Sequence, residues 1–256
     1  MAIIIKTEEE IAHLREGGKR LAKILAEVAT HVRPGISTLE LDKIAEGLIR
    51  DGGDEPAFKG YRPAHHMAPY PASLCTSLNS EVVHGIPRAS VILKEGDIVS
   101  LDLGLKHKNL FTDHAISVIV GKGSKKDQEF LENTNEALLV GIYEAVAGNR
   151  TGDIGAAISE FVKPFKYGVV RDLAGHGVGR AIHEDPFIPN YGKRGTGALL
   201  EPGMVVALEP MLTQGGAPTI VDADGYTVRT ADGSRAAHFE HTILITEGEA
   251  EILTIF

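Results

Sequence analysis

Three short phrases in this chain each occur twice, in the same order, and each contains a side chain able to hold a metal ion. VVHGIP around His84 returns as AGHGVG around His176. The frame G-x-[IV]-V-x-L-[DE] ends at Asp102 and again at Glu209, and [DE]-H-[AT]-I opens at Asp113 and at Glu240. One such match would be noise. Three in register point to a duplicated fold whose halves contribute carboxylates and a histidine to one shared centre. Long solenoids need three or more stacked units, so two copies of this length indicate paired half-domains about a pseudo-twofold axis.

The helices repeat as well. Thr7 and Glu10 form a capping-box pattern, and Ile11, Leu14, Gly18, Leu21, Leu25 and Val28 then recur at helical spacing until Arg33-Pro34-Gly35. Ser37 and Glu40 repeat the cap ahead of Leu41, Ile44, Ala45, Leu48 and Ile49. After Gly121-Lys122-Gly123-Ser124 come a stripe from Phe130 to Ala145 and another from Ile154 to Val162. Aligning Gly35 with Gly148 places Leu41 on Ile154, Ala45 on Ile158, Leu48 on Phe161 and Ile49 on Val162. Ile98 to Leu103, Ala115 to Val120, Val205 to Leu208 and Thr242 to Ile245 read as strands. Helices first and sheet second, in each half, predict an α+β fold. The expected organisation is one domain over residues 1–256, with halves of about 1–121 and 127–256 joined by a hinge at Lys122 to Asp127.

Alternate side chains of a strand share a face. Asp102 therefore projects with Ile98 and Ser100, and Glu209 with Val205 and Ala207, while Val99, Leu101, Val206 and Leu208 are left to pack on helices. Asp113 and Glu240 face away from the core-like Ile116, Val118, Ile243 and Ile245, whereas His114 and His241 fall on the core side. Four carboxylates gathered in one cleft repel, and their pKa values rise unless cations neutralise them. Two divalent ions offset four negative charges. Oxygen and imidazole donors suit Mn, Fe, Co or Zn, and bridged pairs sit about 3.5 to 4 Å apart. The metal logic alone fits acyl or phosphoryl substrates.

Composition narrows the rest. The 26 basic and 35 acidic side chains give a formal charge of −9 with no basic run that would track a phosphate backbone. Nucleic acid is not an expected partner. Cys75 is the only cysteine, which excludes an internal disulfide and a CxxC zinc site. MAIIIKTEEE is too short an apolar start for a signal peptide or a membrane span, so the chain is expected to be soluble and unexported. His65 and His66, adjacent in a Pro-containing loop, are expected to be solvated loop residues.

NSEVVHGIP, DIVSLDLGLKHKNLFTDHA, GHGVGRAIHEDP, GMVVALEPM and FEHTILIT together make the chain resemble the type I methionine aminopeptidases over essentially its whole length. The resemblance implies a pita-bread fold with helices outside a curved antiparallel sheet, and two divalent ions held by Asp102, Asp113, His176, Glu209 and Glu240. Asp102 would chelate one ion, His176 and Glu209 would serve the other, and Asp113 and Glu240 would bridge them. It further implies that a water between the ions attacks the first peptide bond. Glu209 would shuttle the proton, His183 would stabilise the oxyanion, and His84 would contact the scissile amide. Phe58, Tyr61, Tyr70, Cys75, His84, His183 and Tyr226 would line the pocket for the methionine side chain. Tyr226 stands where bacterial relatives often carry Trp, and Ile182 where they often carry Phe. The implied substrates are N-terminal peptides of nascent proteins with a small second residue, met in the cytoplasm by a monomer, with the ribosome as a further partner and no membrane role. Proline-directed relatives of the fold share the five ligands but usually carry an extra N-terminal domain, and non-catalytic binding modules of the fold typically lose ligands.

Overall fold

Both expected capping boxes form. Thr7 Oγ1 accepts from the Glu10 amide at 3.2 Å while the Glu10 carboxylate accepts from the Thr7 amide at 2.8 Å, and Ser37 and Glu40 make the same exchange. These caps open α1 (Glu8–Thr30) and α2 (Thr38–Asp51); α3 (Lys125–Glu144) and α4 (Thr151–Val162) follow in the second half. Ser124 caps α3, so the connection between halves ends earlier than the stretch to Asp127 expected from the sequence. The computed structural model describes residues 3–62, 64 and 67–256, and the expectation for His65 and His66 lies outside the described residues.

Among the described residues the strands are β1 (Glu55–Pro56), β2 (Leu74–Leu78), β3 (Glu81–Val83), β4 (Ile98–His107), β5 (Leu110–Ile119), β6 (Gly168–Val169), β7 (Gly175–Gly177), β8 (Glu184–Ile188), β9 (Val205–Leu208), β10 (Met211–Thr213), β11 (Thr219–Val221), β12 (Val228–Thr230), β13 (Ala236–His238), β14 (Glu240–Leu244) and β15 (Glu251–Ile252). The main sheet runs β1-β4-β5-β14-β9-β7-β8, with β2 also on β4 and β15 on β14; every pairing is antiparallel. Two smaller sheets, β13-β10-β6 and β11-β12-β3, complete the α+β architecture.

β4 and β5 are longer than the alternation suggested. His107 pairs with Leu110 across Lys108 and Asn109, whose φ values of 47° and 64° make the two-residue turn that suits strand twist. Gly104 lies inside β4, where a Cβ would come within 2.7 Å of Ala57 and Phe58.

One face of the sheet carries the helices. Leu21, Leu25, Leu41 and Ile49 pack with Val99, Leu101, Leu103 and Leu105 of β4, and Phe130, Leu138, Ile154 and Ile158 pack with Val206, Leu208 and Ile243. Each such leucine or isoleucine removed from water contributes roughly 1.5–3 kcal/mol. Gly18 lets the C-terminal segment cross α1, since a Cβ there would lie 2.4 Å from the Leu253 carbonyl.

Two turn hydrogen bonds of the first half recur in the second. Gly35 N–H donates to Leu93 O at 2.9 Å and Gly148 N–H to Leu200 O at 3.0 Å; Gly96 donates to Val120 at 2.8 Å and Gly203 to Ile245 at 2.9 Å. All four glycines have positive φ, between 79° and 92°. At the junction of β5 and β14, His114 stands directly opposite His241 with the rings stacked at 4.6 Å. The His84 and His176 phrases do not share this equivalence. His176 lies within β7 of the main sheet, whereas His84 follows β3, outside that sheet, at φ 59°.

Candidate metal centre

Register delivers the acidic residues to one face. Cys75, Asp102, Ala115 and Glu240 form a row across β2, β4, β5 and β14, because Cys75 pairs with Asp102, Asp102 with Ala115, and Ala115 with Glu240. Asp113 is two residues from Ala115 and shares its face. His176 joins from the other side, paired with Ala207, which pairs with Thr242. Glu209 follows the last residue of β9. The small Ala115 and Ala207 leave room above the sheet where the long side chains converge.

Ligand atoms of Asp113, His176 and Glu240 lie within 4.8 Å of one another, and His176 Nε2 is 3.5 Å from Glu209 Oε1. His176 Nδ1 is 2.9 Å from the Gly177 carbonyl and donates to it, so its Nε2 turns a lone pair toward the carboxylates. Burial raises the Asp102 pKa to about 7. Burial first, and repulsion from neighbouring carboxylates second, holds Asp113, Glu209 and Glu240 well above the ordinary range. Burial also drives His176 down to about 3 and His84 to about 4. Asp102 Oδ1 is buried with no hydrogen-bond partner among the described residues. Acidic oxygens facing each other and an imidazole lone pair, with no basic side chain between them, form a donor set that fits divalent cations.

Every pocket residue expected from the sequence borders one cavity of about 260 Å³ with these carboxylates: Phe58, Tyr61, Tyr70, Cys75, His84, His183 and Tyr226. Tyr70 and Tyr226 meet edge to face at 5.2 Å, and Tyr70 Oη donates to the Gly85 carbonyl at 3.0 Å. Tyr226 Oη donates to the Ala68 carbonyl. His183 Nδ1 is 2.8 Å from Tyr61 Oη, and its ring lies 4.5 Å from that of His176. Ile182 is buried in the apolar cluster against which Tyr61 and Tyr226 pack.

Three features were not anticipated. Met67 and Val221 also line the cavity. Lys6 forms a buried 2.7 Å ion pair with Glu184, and this ties the start of the chain to the residue after His183. His238 is buried beside the carboxylates, 3.6 Å from Glu209 Oε2 and 4.0 Å from Glu240 Oε2. Its two-residue spacing from Glu240 was an available clue, since alternate residues of extended chain share a face.

A pseudo-symmetric α+β fold with a buried carboxylate–imidazole cluster at the floor of an apolar cavity defines a metal-dependent hydrolase of the pita-bread class. The model of metallopeptidase family M24 matches residues 12–247, and the chain belongs to that family. It is 45% identical to the methionine aminopeptidase of Aquifex aeolicus over 99% of both chains, and 46% identical to methionine aminopeptidase 1 of Bacillus subtilis over 98% of this chain and 99% of that one. The crystal structure of methionine aminopeptidase from Thermotoga maritima superposes with a TM-score of 0.95, at 44% identity and full coverage of both chains.

Proposed function

We propose that this enzyme removes N-terminal methionine from peptides whose second residue is small, using Asp102, Asp113, His176, Glu209 and Glu240 to hold two divalent ions. The observation that carries the reading is the junction of two unlike surfaces in one cavity. An apolar cup of Phe58, Tyr70, Cys75 and Tyr226 opens onto the acidic cluster, so a side chain seated in the cup presents its own peptide bond to that cluster. A second cavity, of about 380 Å³, shares His84, His176, His183 and Glu209 with the first and continues past Val83, Leu173 and Phe187, giving the following residues a path outward.

The ions, when bound, supply Lewis acidity and a water of lowered pKa. Glu209, 3.5 Å from His176 at the edge of the cluster, takes a proton and returns it to the leaving amine. His183, its Nδ1 engaged by Tyr61, is left with Nε2 to donate to the developing oxyanion. His84 is kept neutral by burial, and its left-handed backbone is an uncommon conformation for a residue with a side chain. It contacts the scissile amide. Gly85 permits that placement, because a Cβ there would lie 2.3 Å from the Thr76 carbonyl.

The two halves act as one catalytic domain, a reading supported by the ligands being drawn from strands of both. We place its work in the cytoplasm, as a monomer on nascent chains, with the ribosome as a further partner. Among the described residues no helix is long and apolar enough to cross a membrane.

Turnover of a Met-Ala-Ser peptide by the metal-loaded protein, against its N-acetylated form and Leu- and Ala-initiated versions, tests the assignment. The free methionyl peptide should be preferred, with Leu behind by the roughly 1–3 kcal/mol that such pockets discriminate. Equal rates across the panel, or efficient cleavage of the blocked peptide, would refute it.

A further inference from the structure

His238 closes β13 opposite Met211, and its backbone is fixed on both sides by one hydroxyl: its N–H donates to Ser117 Oγ at 2.9 Å and its carbonyl accepts from Ser117 Oγ at 2.8 Å. The ring is 2% exposed, and neither nitrogen has a hydrogen-bond partner among the described residues. An imidazole buried without partners destabilises a fold, and a leucine of similar bulk would carry no such cost. What the ring faces gives it a use. Glu209 stands between two histidines, with Oε1 3.5 Å from His176 Nε2 and Oε2 3.6 Å from His238 Nε2.

We propose that His238 is a positioning residue of the dinuclear centre: its neutral imidazole donates Nε2–H to Glu209 Oε2, which turns Oε1 toward the ion shared with His176. The separation is longer than an ordinary N–H···O bond of about 2.7–3.2 Å, so the proposed bond requires a rotation of one of the two side chains. Partners that orient a metal-bound carboxylate in this way usually carry weight in the affinity of the site. The inference rests on the two-metal reading of the cleft, and the wild-type arm of its test examines that reading separately.

Metal-free wild-type protein, His238→Leu and His238→Gln are titrated anaerobically with Co(II) by calorimetry, and the visible spectra of the loaded forms are recorded. The wild-type protein should take up two ions. His238→Leu should remain folded, with a metal-free melting temperature no lower than wild type, and bind Co(II) about 10–100-fold more weakly. His238→Gln retains a neutral N–H donor and should recover most of that affinity, with the cobalt bands unmoved because the ligand atoms are unchanged. If His238→Leu does not fold, His238→Asn replaces it, since its shorter arm withdraws the donor and should give the same weakening. Affinity within twofold of wild type in the donor-deficient variant overturns the proposal. So does a displaced cobalt spectrum in His238→Gln without recovery, because the imidazole would then itself be a ligand. Failure of the wild-type protein to bind Co(II) instead overturns the reading of the cleft.

Discussion

On the helix side of β4, Val99, Leu101, Leu103 and Leu105 are buried among the leucines of α1 and α2, every group in a medium that suits it. On the cleft side of the same strand Asp102 is also buried, yet one of its oxygens has no hydrogen-bond partner among the described residues and its pKa is raised, as are those of Asp113 and Glu240 on β5 and β14. One backbone thus supports two environments separated only by the alternation of side chains. The apolar face stabilises the fold enough to tolerate a polar face that is poorly stabilised until cations reach it. Removing a group from one face should therefore have the opposite effect on the metal-free fold from removing a group from the other.

The largest effect is expected from Asp102→Asn. It should lower Met-Ala-Ser turnover by more than about 100-fold, beyond what loss of a mere orienting partner causes, and abolish stoichiometric metal uptake in equilibrium dialysis. It should also raise the melting temperature of the metal-free protein, because a buried group that favours protonation is replaced by a neutral one. Retained uptake and turnover would remove Asp102 from the centre.

Leu101→Ala examines the other face. Loss of a fully buried leucine should cost about 2–5 kcal/mol in denaturant unfolding, with metal affinity of the folded protein unchanged. A matching loss of metal affinity would show that the two faces are mechanically coupled.

The cleft should also give the metal-free protein an unusual pH profile. Its carboxylates have folded pKa values above their unfolded ones, so the folded state binds more protons and stability is lost as pH rises through Asp102's value of about 7 and beyond. The imidazoles act in the reverse direction: His84 at about 4 and His176 and His238 at about 3 lie below the ordinary 6.5, so their contribution is lost as pH falls from 6.5. The two trends offset one another below 6.5, and above it only the carboxylates remain. Thermal melts of metal-free protein should therefore decline past pH 7, by up to roughly 1.4 kcal/mol per pH unit for each proton that the folded state holds in excess of the unfolded chain. Saturating Mn(II) should remove the decline, with protons released on binding. A flat metal-free profile would mean that the carboxylates ionise in the folded protein as they do in the unfolded chain.

The same comparison explains what could be read in advance. Helix caps at Thr7 and Ser37 and the alternation around Asp102 and Glu209 are local, so they were legible without knowing what lies opposite. His238 belongs to a short strand held against Ser117, 121 residues earlier in the chain, and its two-residue spacing from Glu240 is the one local sign of its place. The His84 phrase misled in the opposite way: its likeness to the His176 phrase is real in sequence, but the main sheet takes in only one of them. The Lys6–Glu184 ion pair was equally hidden, because an apolar chain start gives no sign that the next lysine will be buried against a carboxylate 178 residues away.

The smallest predicted effect concerns the rim, where the two environments meet. Tyr61 contributes its ring to the apolar cup and its hydroxyl to His183, so Tyr61→Phe removes one role and leaves the other. If His183 needs that hydrogen bond to present Nε2, kcat on Met-Ala-Ser should fall about 10-fold, equivalent to ~1.4 kcal/mol of barrier. KM should stay within about twofold, since the hydrocarbon surface offered to the methionine is unchanged. Steady-state kinetics separate the alternatives. A raised KM with kcat intact would make Tyr61 a wall of the cup alone, and orientation of His183 would then fall to the buried Lys6–Glu184 pair that anchors the next residue in the chain.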